Sequence, residues 1–248
     1  MKRLLGYLIP SSHYALLSLL FLAGLEITFA WPRFVIPLLA GLFLLMAIGI
    51  LLVRIEERGR FRVTQAILPV LAVTGFTGFG LFLPHNELLH IYFILASVLL
   101  FWLLKHATKL AYPTWNWTLS TIVLFLDAAA ILGLRFHLYV PIAIILPLLF
   151  LVSFLISFQA VRRAAPLISE TALLSLGISA GLTEIAWTLQ FLPLHYVVQA
   201  GILVAFYYVF FHLISVSYER RLHRKDIIEY VVIGTAALLL ILLTARWK

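Results

Sequence analysis

Residues 177–196 read GISAGLTEIAWTLQFLPLHY, an apolar run long enough to cross a bilayer that nevertheless carries Glu184 well inside its ends. A carboxylate at that depth is expensive, so the surroundings must neutralise it, hydrate it or use it. Apolar runs of this length recur from one end of the chain to the other. With 64% hydrophobic and 11% charged residues over 248 positions and a mean hydropathy of +1.10, the composition lies outside the soluble range. The reading is an all-α fold, a polytopic transmembrane helix bundle forming a single integral membrane domain over residues 1–248.

The formal charge is +8, but the cations sit in short clusters between apolar runs, where topology signals are placed. Nucleic acid is therefore not expected as a partner. The expected partners are the lipid bilayer and a membrane-protein partner or a second copy in a homo-oligomer. The chain has no Cys, which removes disulfides, thiolate metal sites and a Cys nucleophile. No cofactor is expected. Residues 1–30 begin with Lys2 and Arg3 and end faintly like a cleavage site at Ala30, but their apolar part is longer than a signal core and further spans follow. They are taken as the first span.

Nine spans are expected, at about 12–30, 34–53, 63–83, 88–105, 116–134, 139–160, 167–191, 196–216 and 227–244. With the N-terminus inside, the inner segments hold Lys2, Arg3, Arg54, Arg58, Arg60, Arg62, Lys105, Lys109, Arg162, Arg163, Arg220, Arg221, Arg224 and Lys225, fourteen of the 18 cations. Arg33, Arg135, Arg246 and Lys248 lie outside. This predicts N-inside and C-outside in a cytoplasmic (inner) membrane. Trp31, Tyr112, Trp115, Trp117, Tyr139 and Trp247 fall near span ends, where interfacial aromatics belong. Pro37, Pro69, Pro141 and Pro147 fall within spans and are expected to kink or loosen them. The glycine-rich segment Thr74–Gly80 reads as close helix packing through small residues, with an irregular segment as the alternative.

Three carboxylates lie within spans. Glu26 is followed seven residues on by Arg33, Asp127 eight on by Arg135, and Glu184 nine on by Pro193. At about 1.5 Å per residue all three sit roughly 10–14 Å below the outer helix ends. No Lys or Arg lies at that depth. Such acids are either protonated, hydrated in a cavity, bound to a cation, or hydrogen-bonded to neighbouring helices.

Helical spacing puts Glu170, Gly177, Gly181, Glu184 and Thr188 in one arc. Gly177 and Gly181 form a small-xxx-small packing surface, so this face is expected to turn inward and take Glu184 with it. Asn116, Ser120, Asp127 and Ala130 share a second inward face. Gly201, Ala205, Tyr208, His212, Ser215 and Glu219 form a third small and polar stripe. His212 on it is a candidate proton relay, or a histidine that is simply hydrogen-bonded.

Residues 177–181 spell G-x-S-x-G, but a nucleophile elbow requires a strand, a sharp turn and a helix, and these letters fall inside an apolar helix. His85 and His90 are not spaced for two ligands on one helical face. No metal centre is expected; His90, meeting the acids from above, is the residue that would nucleate one. A retinal Schiff base needs a Lys within a span, and none is present.

Glu184-Ile-Ala-Trp187, then Phe191-Leu-Pro193, then Tyr207-Tyr208 resembles uncharacterised multi-span membrane proteins of genome-reduced candidate-phylum bacteria, over about a quarter of the chain. That class has no assigned activity, so the resemblance implies a membrane bundle and no mechanism. The functional expectation from the acids is a proton- or cation-linked transporter or permease. In it Glu184 is the main carrier, Asp127 its partner, Glu26 the vestibule acid and His212 an inner relay. The alternatives are a membrane scaffold or assembly subunit and a membrane-embedded metal-dependent enzyme.

Overall fold

The computed structural model describes residues 2–31, 41, 64–84, 86–107, 113–162, 167–219 and 224–245. The expected second span at 34–53 and the arginine-rich loop after it lie outside the described residues, apart from the helical position Gly41. The rest is all-α. The helices are α1 (Lys2–Ala30), α2 (Thr64–Gly80), α3 (Glu87–Ala107), α4 (Pro113–Leu138), α5 (Ile142–Val161), α6 (Ile168–Leu189), α7 (Tyr196–Glu219) and α8 (Arg224–Thr244). Helices α3 to α8 are each long and apolar enough to cross a membrane. In α1 and α2 the described apolar stretches, Tyr14–Ala30 and Ile67–Gly80, are shorter. Helix α1 starts at Lys2, earlier than the expected span edge.

The chain divides into two compact units, one up to Asn116 and one from Trp117. In the first, α3 is the centre and packs against both α1 and α2. Phe21, Leu25, Phe76, Phe93 and Leu100 form its interior. Gly80 makes the close approach possible: a Cβ there would sit 3.3–3.5 Å from the rings of Tyr92, Phe29 and Phe93. The Thr74–Gly80 segment is therefore ordinary helix used for packing, and Pro69 lies within that same helix. Tyr92 fixes the α2–α3 pairing by donating its hydroxyl to Phe76 O at 2.6 Å.

In the second unit α5 and α6 form the tightest pair, α6 packs on α7, and α8 lies along α7. The α5 face is Ile145, Leu149, Ser153, Ile156 and Ser157; the α6 face is Thr171, Ser175, Ile178, Ser179 and Leu182. Small side chains let the two backbones come close, the usual means of helix association in lipid. The α6 hydroxyls cause no desolvation problem because each donates to its own helix: Thr171 to Leu167 O, Ser175 to Thr171 O, Ser179 to Ser175 O and Thr183 to Ser179 O, all at 2.6–2.8 Å. Pro141 precedes α5 as its N-cap and introduces no kink, contrary to expectation; Pro147 lies inside it. A proline is well suited to a helix start, where its missing N–H is not needed.

The stripe Gly201, Tyr208, His212 on α7 is the seat of α8. A Cβ at Gly201 would touch Ile241 at 3.5 Å, and His212 stacks on Tyr230 at 4.9 Å with an interplanar angle of 12°. Burial divides the helices of this unit sharply. The apolar window of α4 is 67% buried and that of α8 only 6%. Helix α8 thus presents almost its whole circumference, including Ile228, Val232, Leu239 and Leu243, to its surroundings.

Candidate functional site

The three span carboxylates occupy three different environments. Glu26 belongs to the first unit, Asp127 and Glu184 to the second.

Glu26 on α1 meets His90 on α3. Nδ1 of His90 lies 2.9 Å from Oε1 and 3.1 Å from Oε2 of Glu26. The histidine thus does reach an acid, but among the described residues no third His, Cys, Asp or Glu joins them to hold a metal ion. The pair is open, with side-chain exposures of 63% for His90 and 40% for Glu26. Exposed pairs of this kind contribute little, so Glu26→Gln is expected to change unfolding free energy by less than about 1 kcal/mol. A thermal melt of the purified chain checks this; a loss several times larger would mean that the pair is the principal α1–α3 contact. The neighbouring ring contact of Phe29 with Phe93, at 4.8 Å, is the stronger tie.

Asp127 faces inward as expected. It is 3% exposed on α4, among Leu124, Ala128 and Ile131. Glu184 does not: it lies on the exposed side of α6, in line with Gly177, Ala180, Trp187 and Thr188. The inward side of α6 is the hydroxyl ladder described above. Both faces of α6 carry small residues at helical spacing, and the one with internally bonded hydroxyls is buried because its polar atoms are already satisfied. The expectation that the Gly177–Gly181 face meets another helix is only half met. A Cβ at Gly181 would sit 3.4 Å from the Phe210 ring of α7, whereas one at Gly177 would meet nothing within 4 Å. Asp127 and Glu184 therefore do not share an interior.

His212 lies in an aromatic clamp. Tyr208 is 4.4 Å from it on the same helix, Tyr230 of α8 stacks on it at 4.9 Å, and the two tyrosine rings are 6.4 Å apart. This geometry ties α8 to α7. Ser179, the serine of the G-x-S-x-G letters, is fully buried in continuous helix with its hydroxyl held by Ser175 O, so it has no nucleophile geometry.

The feature not anticipated from the sequence is a cavity of about 460 Å³ in the second unit, where α4 ends and the α6–α7 connection passes. Arg135, Phe136, Tyr139, Gln190, Tyr196 and Gln199 line it, over an aliphatic floor. Tyr139 ends α4 in the left-handed conformation with φ 56°. That conformation is disfavoured for a side chain of this size, and such residues gather at functional sites. The two glutamines are locked: Gln190 Nε2 donates to Gln199 Oε1 at 2.9 Å, and Gln199 Nε2 donates to Leu194 O at 3.0 Å. Phe136, His137, His195 and Tyr196 form a ring cluster at its side, with centroids 4.3–5.5 Å apart. The sequence held a signal for this site, Arg135 next to His137 and Tyr139, but the partner segment lies more than fifty residues away.

No curated protein and no solved structure matches the chain. A family model does match, across residues 22–244, and so covers all but the two ends. The chain belongs to that family, the proteins of unknown function designated DUF5656.

Proposed function

We propose that this multi-pass membrane protein is a scaffold or assembly subunit of the cytoplasmic (inner) membrane, a single integral membrane domain of nine spans with its N-terminus inside and its C-terminus outside. The observation that carries the reading is the position of Glu184. A carboxylate on the outer side of a span costs roughly 2.5–3.5 kcal/mol near the bilayer centre. A partner helix supplying a hydrogen-bond donor removes that cost. Gly177, with open space where a side chain would be, lets a second backbone come close beside Glu184. The wide exposure of α8 adds apolar surface to the same unit.

The test is photo-crosslinking in native membranes from Leu173, an exposed position on the same helix. A discrete protein adduct is expected, with its yield reduced about fivefold or more by Glu184→Leu, the loss of one interhelical hydrogen bond worth about 1 kcal/mol or more. The partner is another membrane protein or a second copy of this chain, and the mass of the adduct distinguishes them. Adducts with lipid alone would overturn the reading.

A proton- or cation-linked permease is the second reading, favoured by the buried carboxyl of Asp127. In it Asp127 is the acid that takes the ion, and Glu184, Glu26 and His212 are reached at other stages of the cycle. Proton flux in proteoliposomes that disappears in Asp127→Asn would support it, and flux unchanged by that substitution would remove it.

A further inference from the structure

We propose that the cavity at the end of α4 binds a phosphate-type oxyanion, carried by the headgroup of an anionic phospholipid or by a small soluble phosphate ester. The inference is independent of the scaffold reading, since it uses neither Glu184 nor α8.

The argument begins with charge. Arg135 lines the cavity and has no ion-pair partner among the described residues. No carboxylate is among the lining residues. Its place in the last turn of α4 suits a cation, because helix C-termini carry partial negative charge. That explains why an arginine is tolerated there; it does not explain a polar cavity beside it. A guanidinium offers five N–H donors in a planar fork that matches phosphate oxygens in pairs.

The remaining walls complete a receptor. The chain of bonds from Gln190 through Gln199 to Leu194 O leaves one N–H of the Gln199 amide available. Gln199 itself is buried, so that donor is held in place. The first N–H groups of α7 do not contribute: Val198 and Gln199 donate to His195 O, and Val197 donates to His195 Nδ1. Recognition therefore falls to Arg135 and Gln199, with the Tyr139 hydroxyl at the rim. Aromatic rings and an aliphatic floor supply the apolar part of the site, as pockets for small molecules generally have. The volume, about 460 Å³, is within the roughly 300–1,000 Å³ of such pockets and suits a headgroup-sized ligand.

Depth points to the membrane surface. Tyr139 at the rim is 86% exposed, and Trp187 and Phe191 are exposed at the same end of α6. Exposed aromatic residues of this kind collect at headgroup level. The cavity thus opens where phospholipid phosphates lie.

The test uses the purified full chain and native mass spectrometry. Phosphatidylglycerol is expected to be retained about tenfold more than diacylglycerol, which lacks the phosphate, the discrimination typical of one charge-assisted contact. Arg135→Gln should abolish the preference and Arg135→Lys should restore part of it. Lys225→Gln, a charge removed from exposed α8, should leave it unchanged. Leu192→Glu is the second variant; it sets a carboxylate on an exposed lining position and should expel the anion without disturbing the interior. In a parallel arm, glycerol 1-phosphate raising the melting temperature of the wild type but not of Arg135→Gln, with no lipid preference, would assign the oxyanion to a soluble ester. The proposal is overturned if neither probe responds to Arg135→Gln or to Leu192→Glu.

Discussion

Tyr207→Ala is expected to lower the unfolding free energy by about 2–3 kcal/mol, the largest loss from any single truncation in the second unit. Tyr207 heads the fully buried side chains by volume and sits on α7, the helix that packs against both α5 and α6. In a water-soluble core, removal of such a ring costs roughly 3–5 kcal/mol, part of it from lost transfer out of water. A bilayer is as apolar as the core, so that part is missing here and the cavity and lost dispersion contacts remain. Tyr207→Phe should behave quite differently. The Tyr207 and Ser157 hydroxyls are close enough to interact, yet neither reaches good hydrogen-bond geometry. Deleting the phenol oxygen should therefore change stability by less than about 1 kcal/mol, or raise it slightly. Melting of both variants in one detergent measures the contrast. Equal losses would mean that the hydroxyl, and not the ring, holds the three helices together.

The second large effect is expected at Gly234. Among the described residues of the exposed α8 it is the one buried position. A Cβ built there would lie far inside contact distance of Val209 Cγ2 on α7. Valine is β-branched and has essentially one comfortable rotamer in a helix, so it cannot swing away. Gly234→Val should push α8 off α7 at a cost of about 1–3 kcal/mol. The aromatic clamp of His212 on Tyr230 should open with it. A disulfide between cysteines introduced at Gly201 and Ile241, a contact of the same interface, provides the measurement. Its yield should fall steeply in the Gly234→Val background. An unchanged yield would show that α8 tolerates a small displacement, and that the glycine was not required for docking.

The membrane class was legible from the sequence because it depends only on length and composition. An apolar run near twenty residues has few other ways to satisfy its backbone than as a helix in lipid. The small and polar stripe on α7 was legible as a stripe, but that α8 seats on it, at Gly201 and His212, was not. The N-cap role of Pro141 was missed because a span edge read from hydropathy is blurred, and a proline at the edge can fall on either side of the helix start.

Which side of α6 turns inward was not legible. Gly177, Gly181 and Glu184 make one plausible packing face, and Thr171, Ser175, Ser179 and Thr183 make another. Periodicity fixes the angle between the two but does not choose. In a soluble helix the polar face would point to water and settle the matter. In lipid the interior and the surroundings are equally apolar, so that asymmetry vanishes. The hydroxyl ladder could have tipped the reading, since four hydroxyls four residues apart satisfy themselves on their own helix, whereas Glu184 cannot.

The sequence by itself therefore determined that this is a helical membrane protein, where most of its helices lie, and which residues are chemically costly within them. Only the tertiary structure decided that Asp127 is enclosed, that Glu184 faces outward, that Glu26 has His90 for a partner, and that Arg135 shares a cavity with Gln190 and Gln199. The physical reason is that helix formation is governed by contacts a few residues apart, while the rotation of a helix about its axis is governed by shape complementarity with distant segments.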